Sequence, residues 1–238
     1  MSQGERVPLG EAEPVARALA ALLGPSAERV LVGGSVRRQR ATVGDLEVIV
    51  LCKVDRVARA GQQVDLFAPK VLVADPVNRT HSLLDEWVGQ PAEWEPPETG
   101  GLHLWLRRGE RWGPKYRGLF VDWYERSAES SGWPLKLDLF MTEVPGSFGW
   151  LSVIRTGPKD FNLWLLERLR AAGVTADGGR LYRGAGAARE VIETPEEADV
   201  FGLFGGRPPA ATERSMRDGE SQHVSFGRWN VLTAEGAR

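Results

Sequence analysis

Residues 31–50 read LVGGSVRRQRATVGDLEVIV: a short apolar run, two glycines and a serine, an arginine pair, then two acids one residue apart at the head of a second apolar run. A strand rich in Val and Ile is built for burial, and side chains two apart on it point the same way, about 7 Å apart along the chain. Asp45 and Glu47 therefore share one face, where neighbouring carboxylates repel each other unless a cation sits between them. Mg²⁺, which takes oxygen ligands and is commonly completed by phosphate groups, is the natural neutraliser. The preceding residues suit the same ligand. Gly33 and Gly34 let backbone amides approach an anion, Ser35 adds a hydroxyl donor, and Arg38 offers a planar, permanently charged fork to phosphate oxygens. Singly, each feature reads as a turn, an exposed charge run or a solvated strand end. In this order they describe a triphosphate seat beside a metal site.

Working outward, residues 11–23 place Val15, Leu19, Leu22 and Leu23 at helical spacing, with acids in the first turn where they complement the helix dipole. Residues 29–32 and 45–51 read as strands on either side of the glycine turn, so the chain opens as helix, strand, turn, strand. From 56 to about 100, prolines at 69, 76, 91, 96 and 97 interrupt the pattern and only SLLDEWV suggests a helix. GLHLWLRR and YRGLFVDWYE alternate as strands of the same sheet, joined by the basic turn RRGERWGPKYR. In LKLDLFM, residues 135–141, the leucines and Met141 take one face, and Lys136, Asp138 and Phe140 the other. A strand is expected over 149–156, and a helix over 159–172 with Phe161, Leu165 and Leu169 inward and Gly173 as its stop. Thr194-Pro195-Glu196-Glu197 opens a last helix with a capping box and proline at its first position.

The 238 residues are enough for a substantial core and two lobes, and the formal charge of −2 argues against binding nucleic acid by bulk attraction. One cysteine, Cys52, excludes an internal disulfide framework, and three scattered histidines, at 81, 103 and 223, form no zinc-type cluster. The N-terminus has no signal pattern and no run is long enough to span a bilayer. These are the features of a soluble, cytoplasmic protein without a membrane partner.

GGSVRRQRATVGDLEVIV resembles the nucleotidyltransferase signature in the form found in the DNA polymerase X (polymerase beta-like) family. LKLDLF is similar to that family's third metal-binding strand, RTGPKDFN to its threonine–glycine turn and following helix, and ETPEEADVFGLFG with Arg207-Pro208-Pro209 to its C-terminal region. Residues 11–51 and 133–210 are covered, and RWGPKY resembles a segment of phage-borne relatives. The resemblance implies an α+β fold: a mixed-sheet palm with helices on one face over 1–148, with an insertion at about 56–132, and a small α/β nucleotide- and DNA-binding subdomain over 149–238.

It further implies that Asp45, Glu47 and Asp138 hold two Mg²⁺ ions, with Mn²⁺ as a substitute. Gly34, Ser35 and Arg38 would take the phosphates of a nucleoside triphosphate, Lys136 would sit beside Asp138, and Asp138 would help activate a primer 3′-hydroxyl for in-line attack. Arg155, Thr156, Gly157 and Asn162 would line the nucleotide or the minor groove, with a cis peptide at Gly157–Pro158. Val64-Asp65-Leu66-Phe67 mimics the third strand but lacks its threonine–glycine sequel.

The chain departs from the family in using Glu47 for aspartate, Ile154 and Arg155 for the aromatic pair that reads the sugar, and Leu166 for the template-contacting arginine. Only some 30 residues precede the glycine turn, too few for a lyase or helix-hairpin-helix module. Residues 105–117 offer a replacement grip on DNA, with Arg107, Arg108, Arg111 and Lys115 interleaved by Trp105, Trp112 and Tyr116. A solvated hairpin with buried aromatics is the equal alternative. Three functions stay open: a minimal X-family DNA polymerase acting in repair or phage replication, a transferase that adds nucleotides without a template or to RNA or protein, and a silent nucleotide- or DNA-binding module.

Overall fold

The structure, a computed structural model, describes residues 6–58, 74–89, 91–94, 102–125, 134–184 and 186–214. The Asp65 segment and His223 lie outside them. The fold is α+β, organised on a six-stranded mixed sheet. In chain order its strands are β1 (Ala27–Val32), β2 (Asp45–Cys52), β3 (Pro91–Trp94), β4 (Leu102–Trp112), β5 (Tyr116–Glu125) and β6 (Leu135–Thr142), and their spatial order is β1-β2-β6-β5-β4-β3. Only β2 and β6 run parallel; every other pair is antiparallel.

The period-two alternation of β2, β4, β5 and β6 divides the sheet into two unlike faces. Leu46, Val48 and Val50 of β2, Leu135, Leu137 and Leu139 of β6, and Leu104, Leu106 and Leu119 form one buried layer, packed against α1 (Leu9–Leu23) through Val15 and Leu19 and against α3 (Arg79–Trp87) through Leu84. Each such side chain contributes on the order of 1.5–3 kcal/mol, so this face holds the lobe together. The opposite face carries Ile49, Leu51 and Phe140, covered by Phe148 and Leu151 of α4 (Phe148–Thr156). Helices therefore lie on both faces, not on one as expected. The apolar side chains of α4 pack on Ile49, Leu51 and Phe140, while Asp45, Glu47 and Asp138 lie nearer the starts of β2 and β6 on the same face.

Three further expectations are corrected. Residues 149–156 form a helix, since Phe148, Ser152 and Thr156 recur at helical spacing and are buried together with Val153. The Gly157–Pro158 bond is trans, there being no cis peptide among the described residues. Gly157 has the extended conformation favoured before proline, and Pro158 is the N-cap of α5 (Lys159–Ala171). The last helix, α6 (Glu197–Gly202), has Glu196 as its N-cap and a capping box with Asp199, which leaves Pro195 ahead of the helix.

A second hydrophobic cluster, made by Trp150, Phe161, Trp164, Leu165, Leu169, Val200 and Phe201, joins α4, α5 and α6 to a three-stranded antiparallel sheet, β7 (Val174–Asp177), β8 (Arg180–Arg183) and β9 (Glu190–Ile192). It is tied to the first lobe by charge. Arg37, in the single turn α2 (Gly34–Arg37), donates to Glu197 at 2.6 and 3.2 Å and to Thr156 Oγ1 at 3.0 Å, while the buried Arg214 donates to the same carboxylate at 2.8 and 3.2 Å. Burial opposes ionisation of Glu197, but the two arginines outweigh it and hold the carboxyl below its ordinary value. Thr156→Val, which removes the buried acceptor at this junction without changing shape, is expected to destabilise the protein by about 1–2 kcal/mol in urea unfolding.

Candidate active site

The Glu47 carboxylate lies against the glycine turn. Gly34 has φ +58°, and a Cβ there would stand 2.0 Å from Glu47 Oε2. Any other residue would meet both the left-handed conformation and the carboxylate. Gly34→Ala is expected to cost about 2 kcal/mol in urea unfolding and to displace Glu47. Gly33 is confined differently, since its Cβ would fall 2.8 Å from Ile49 Cδ1 and 3.1 Å from the Arg155 carbonyl.

Register assembles the acids. In the parallel β2–β6 pair, Glu47 stands opposite Asp138 and Asp45 opposite Lys136, so all four side chains are on one sheet face in two adjacent rows. Burial pushes the Glu47 carboxyl up to about 7, and the Asp45 charge adds to this, while Arg38 and Arg155 oppose it. Asp45 is also raised, by burial first and then by Asp138, against the pull of Lys136, Arg6 and Arg38.

Asp138 is held differently. It accepts a hydrogen bond from Tyr116 Oη at 2.6 Å and lies 2.8 Å from Lys136 Nζ. Tyr116 reaches it over Gly118, which stands opposite Asp138 on β5 and where a Cβ would come within 3.2 Å of the phenol oxygen. Burial and that hydrogen bond push the Tyr116 hydroxyl up to about 12. No three His, Cys, Asp or Glu side chains among the described residues group closely enough to hold an ion. The donors still fit a hard divalent cation in chemistry, being carboxylate oxygens, with Asp45 and Glu47 both raised and Lys136 supplying positive charge beside Asp138.

The remaining polar groups converge on the same corner. Ser35 Oγ, Arg38 Nε, Arg155 Nε, Asp160 Oδ2 and Asn162 Oδ1 are buried without a hydrogen-bond partner. Such atoms each cost about 1–3 kcal/mol unless a ligand or water satisfies them, and they belong to α2 and to the α4–α5 junction that clasps it. Burial lowers the Arg38 pKa, with Glu47 and Asp160 among the charges opposing that shift. Its guanidinium also donates to the Thr156 carbonyl.

Beside Asp138 opens a cleft of about 630 Å³, lined by Tyr116, Lys136 and Phe140 from the sheet, by Arg155 from α4 and by Gly178–Arg180 from the β7–β8 turn. Arg155 stacks over Phe140, its guanidinium carbon 3.9 Å from the ring centre. Arg111 and Lys115 also line this cleft, and Lys115 Nζ donates to the Gly178 carbonyl at 3.3 Å.

The other residues singled out in the sequence are placed elsewhere. Thr156 is fully buried and serves the Arg37–Arg38 clamp. Asn162 Nδ2 donates to the carbonyls of Ile154 and Gly157 at 2.8 and 3.2 Å, so it closes the end of α4, and a Cβ on Gly157 would crowd its Oδ1 at 2.5 Å. The basic stretch is not one turn, because β4 continues to Trp112 and only Gly113–Lys115 link it to β5. Arg107 is paired with Asp122, and Arg108 stacks over Trp112 at 4.8 Å, so its four cations do not share a surface. Tyr116, Asp160 and Arg37 were not assigned these roles from the sequence, and the cross-strand and inter-lobe pairings that define them leave no local signal. No family model and no curated protein matches the chain.

Proposed function

We propose that the protein is a metal-dependent nucleotidyltransferase of the polymerase beta-like type, which adds a nucleoside monophosphate from a nucleoside triphosphate to the 3′-hydroxyl of a nucleic acid. The observation that carries this reading is the pairing of Glu47 with Asp138 on adjacent parallel strands, with Asp45 on the same face. Asp45, Glu47 and Asp138 would hold Mg²⁺, which when bound supplies Lewis-acid stabilisation of charge on the phosphoryl oxygens.

The chain's own groups supply positioning. Ser35 Oγ and Arg38 Nε, both without a partner, are donors for phosphate oxygens, and the Gly33–Gly34 turn lets the backbone approach them. If Lys136 moves from Asp138 to a phosphate, the carboxylate oxygen it faced would be free to take the acceptor hydroxyl's proton, while Tyr116 still holds the other oxygen; the hydroxyl oxygen then attacks the α-phosphorus in line and pyrophosphate leaves.

Untemplated addition has an observation in its favour. Leu166, at the place of the family's template-contacting arginine, packs against the second core. The test is incubation with Mg²⁺ and labelled dNTPs or NTPs on single-stranded, primer–template and one-nucleotide-gapped DNA. Template-matched incorporation supports the polymerase, indiscriminate tailing supports the untemplated transferase, and no incorporation on any substrate overturns both.

A further inference from the structure

We infer that Trp105 and Phe120 form a stacking platform for the unpaired 3′ end of the acceptor nucleic acid, an inference that rests on the transferase reading above. Both residues are interior to strands whose other face is buried, yet they are 42% and 39% exposed. Solvent-side positions of such strands are ordinarily polar. Here two aromatic rings occupy them, on the same sheet face as the three acids.

The register gives their placement. Phe120 stands opposite Lys136, which stands opposite Asp45. Strands lie about 4.8 Å apart, so the phenyl ring is roughly 10 Å across the sheet from the acidic strand. Trp105 is diagonal to Phe120, since Trp105 pairs with Asp122 and Phe120 with Arg107. Diagonal neighbours are about 7–8 Å apart, which matches splayed bases and not the 3.4 Å rise of a B-form strand. A base in a duplex also has its faces covered by its neighbours, so only an unpaired strand offers rings to this surface.

Charge is arranged to match. Lys136 belongs both to the row containing Phe120 and to the cleft, where Arg111, Lys115, Arg155 and Arg180 outnumber the acids Asp138 and Glu143. A basic groove for phosphates beside aromatic rings for bases is how single strands are bound without sequence preference. Ser35 and Arg38 lie on the β2 side of Asp138 and the aromatic pair lies on the β5 side, so a strand on the platform delivers its end to Asp138 opposite the nucleotide. Cross-strand packing does not account for the pair. Arg107 is 5.6 Å from the Phe120 ring centre but is committed to Asp122, and Phe120 remains exposed.

Fluorescence anisotropy with a short fluorescein-labelled oligodeoxythymidylate, alone or annealed to oligodeoxyadenylate, in EDTA without nucleotide, tests this directly. The single strand is expected to bind more tightly than the duplex, with Trp105→Ala and Phe120→Ala each weakening it about 5- to 150-fold and Trp105→Phe retaining most of the affinity. Variants with native circular dichroism that bind the single strand like wild type overturn the platform, as does an equal loss for the duplex. So does sedimentation showing that the pair instead joins two copies of the chain. Because the assay contains neither metal nor nucleotide, a failure of transfer alone counts against the transferase reading and leaves the platform standing.

Discussion

Asp138→Ala is expected to lower nucleotide transfer about a thousandfold or more while leaving the fold in place. Asp138 is the acid at the meeting point of the sheet face and the cleft, and its two contacts, from Tyr116 and Lys136, both come from groups that line the same cleft. On the transferase reading proposed above, losing a carboxylate that would position both cation and acceptor hydroxyl forfeits several kcal/mol of transition-state stabilisation, and about 4 kcal/mol corresponds to a thousandfold in rate. Stability responds far less. Lys136 is half exposed and the phenol of Tyr116 opens on the cleft, so water replaces the lost oxygens at a cost of about 1 kcal/mol or less. Single-turnover extension of a labelled oligonucleotide beside a urea titration separates the two effects. A variant that transfers within tenfold of wild type would remove Asp138 from the mechanism, and one that unfolds would show the aspartate to be structural.

Much of this face was legible in the sequence because its cues are local. Alternation in LKLDLFM places Asp138 opposite the leucines, and the same rule puts Asp45 and Glu47 together; both strands form over nearly the expected residues. Helix α5 likewise buries Phe161, Leu165 and Leu169 as their spacing requires. What failed depends on contacts distant in the chain. Val153, Ile154 and Thr156 favour a strand by propensity, yet α4 forms because packing on Ile49, Leu51 and Phe140 rewards the helical face of the same segment. Arg37 and Arg38 belong to a run that reads as solvent-exposed, but their partners are Glu197 and Thr156 in the second lobe. The parallel register that brings Asp138 beside Glu47, and the reach of Tyr116 across Gly118, are set by pairings between strands distant in the chain and leave no trace in either strand alone.

Glu47→Gln is expected to stabilise the metal-free protein by about 2–3 kcal/mol at pH 8 and to change nothing at pH 4. The Glu47 carboxyl is pushed from 4.5 to about 7, by burial first and by Asp45 second. Between those values the folded state keeps a proton that the unfolded chain has released, so the unfolded state binds fewer protons and stability falls as pH rises through this window. Above pH 7 the whole penalty is present, about 3 kcal/mol at most and less to the extent that water reaches the half-buried side chain. Glutamine never ionises and escapes it. Asp45, raised for the same reasons, keeps a smaller dependence of the same sign in the variant. Mg²⁺ should close the gap: an ion that binds the folded but not the unfolded protein adds about 2.7 kcal/mol to wild type at a hundred times its dissociation constant, about the size of the variant's advantage, and the variant, short of one ligand, gains less. Urea titrations from pH 4 to 8, in EDTA and again in Mg²⁺, check both signs. Identical pH profiles for the two proteins in EDTA would mean that Glu47 is not held in the electrostatic strain described, and the strongest physical reason for a cation among these carboxylates would be gone.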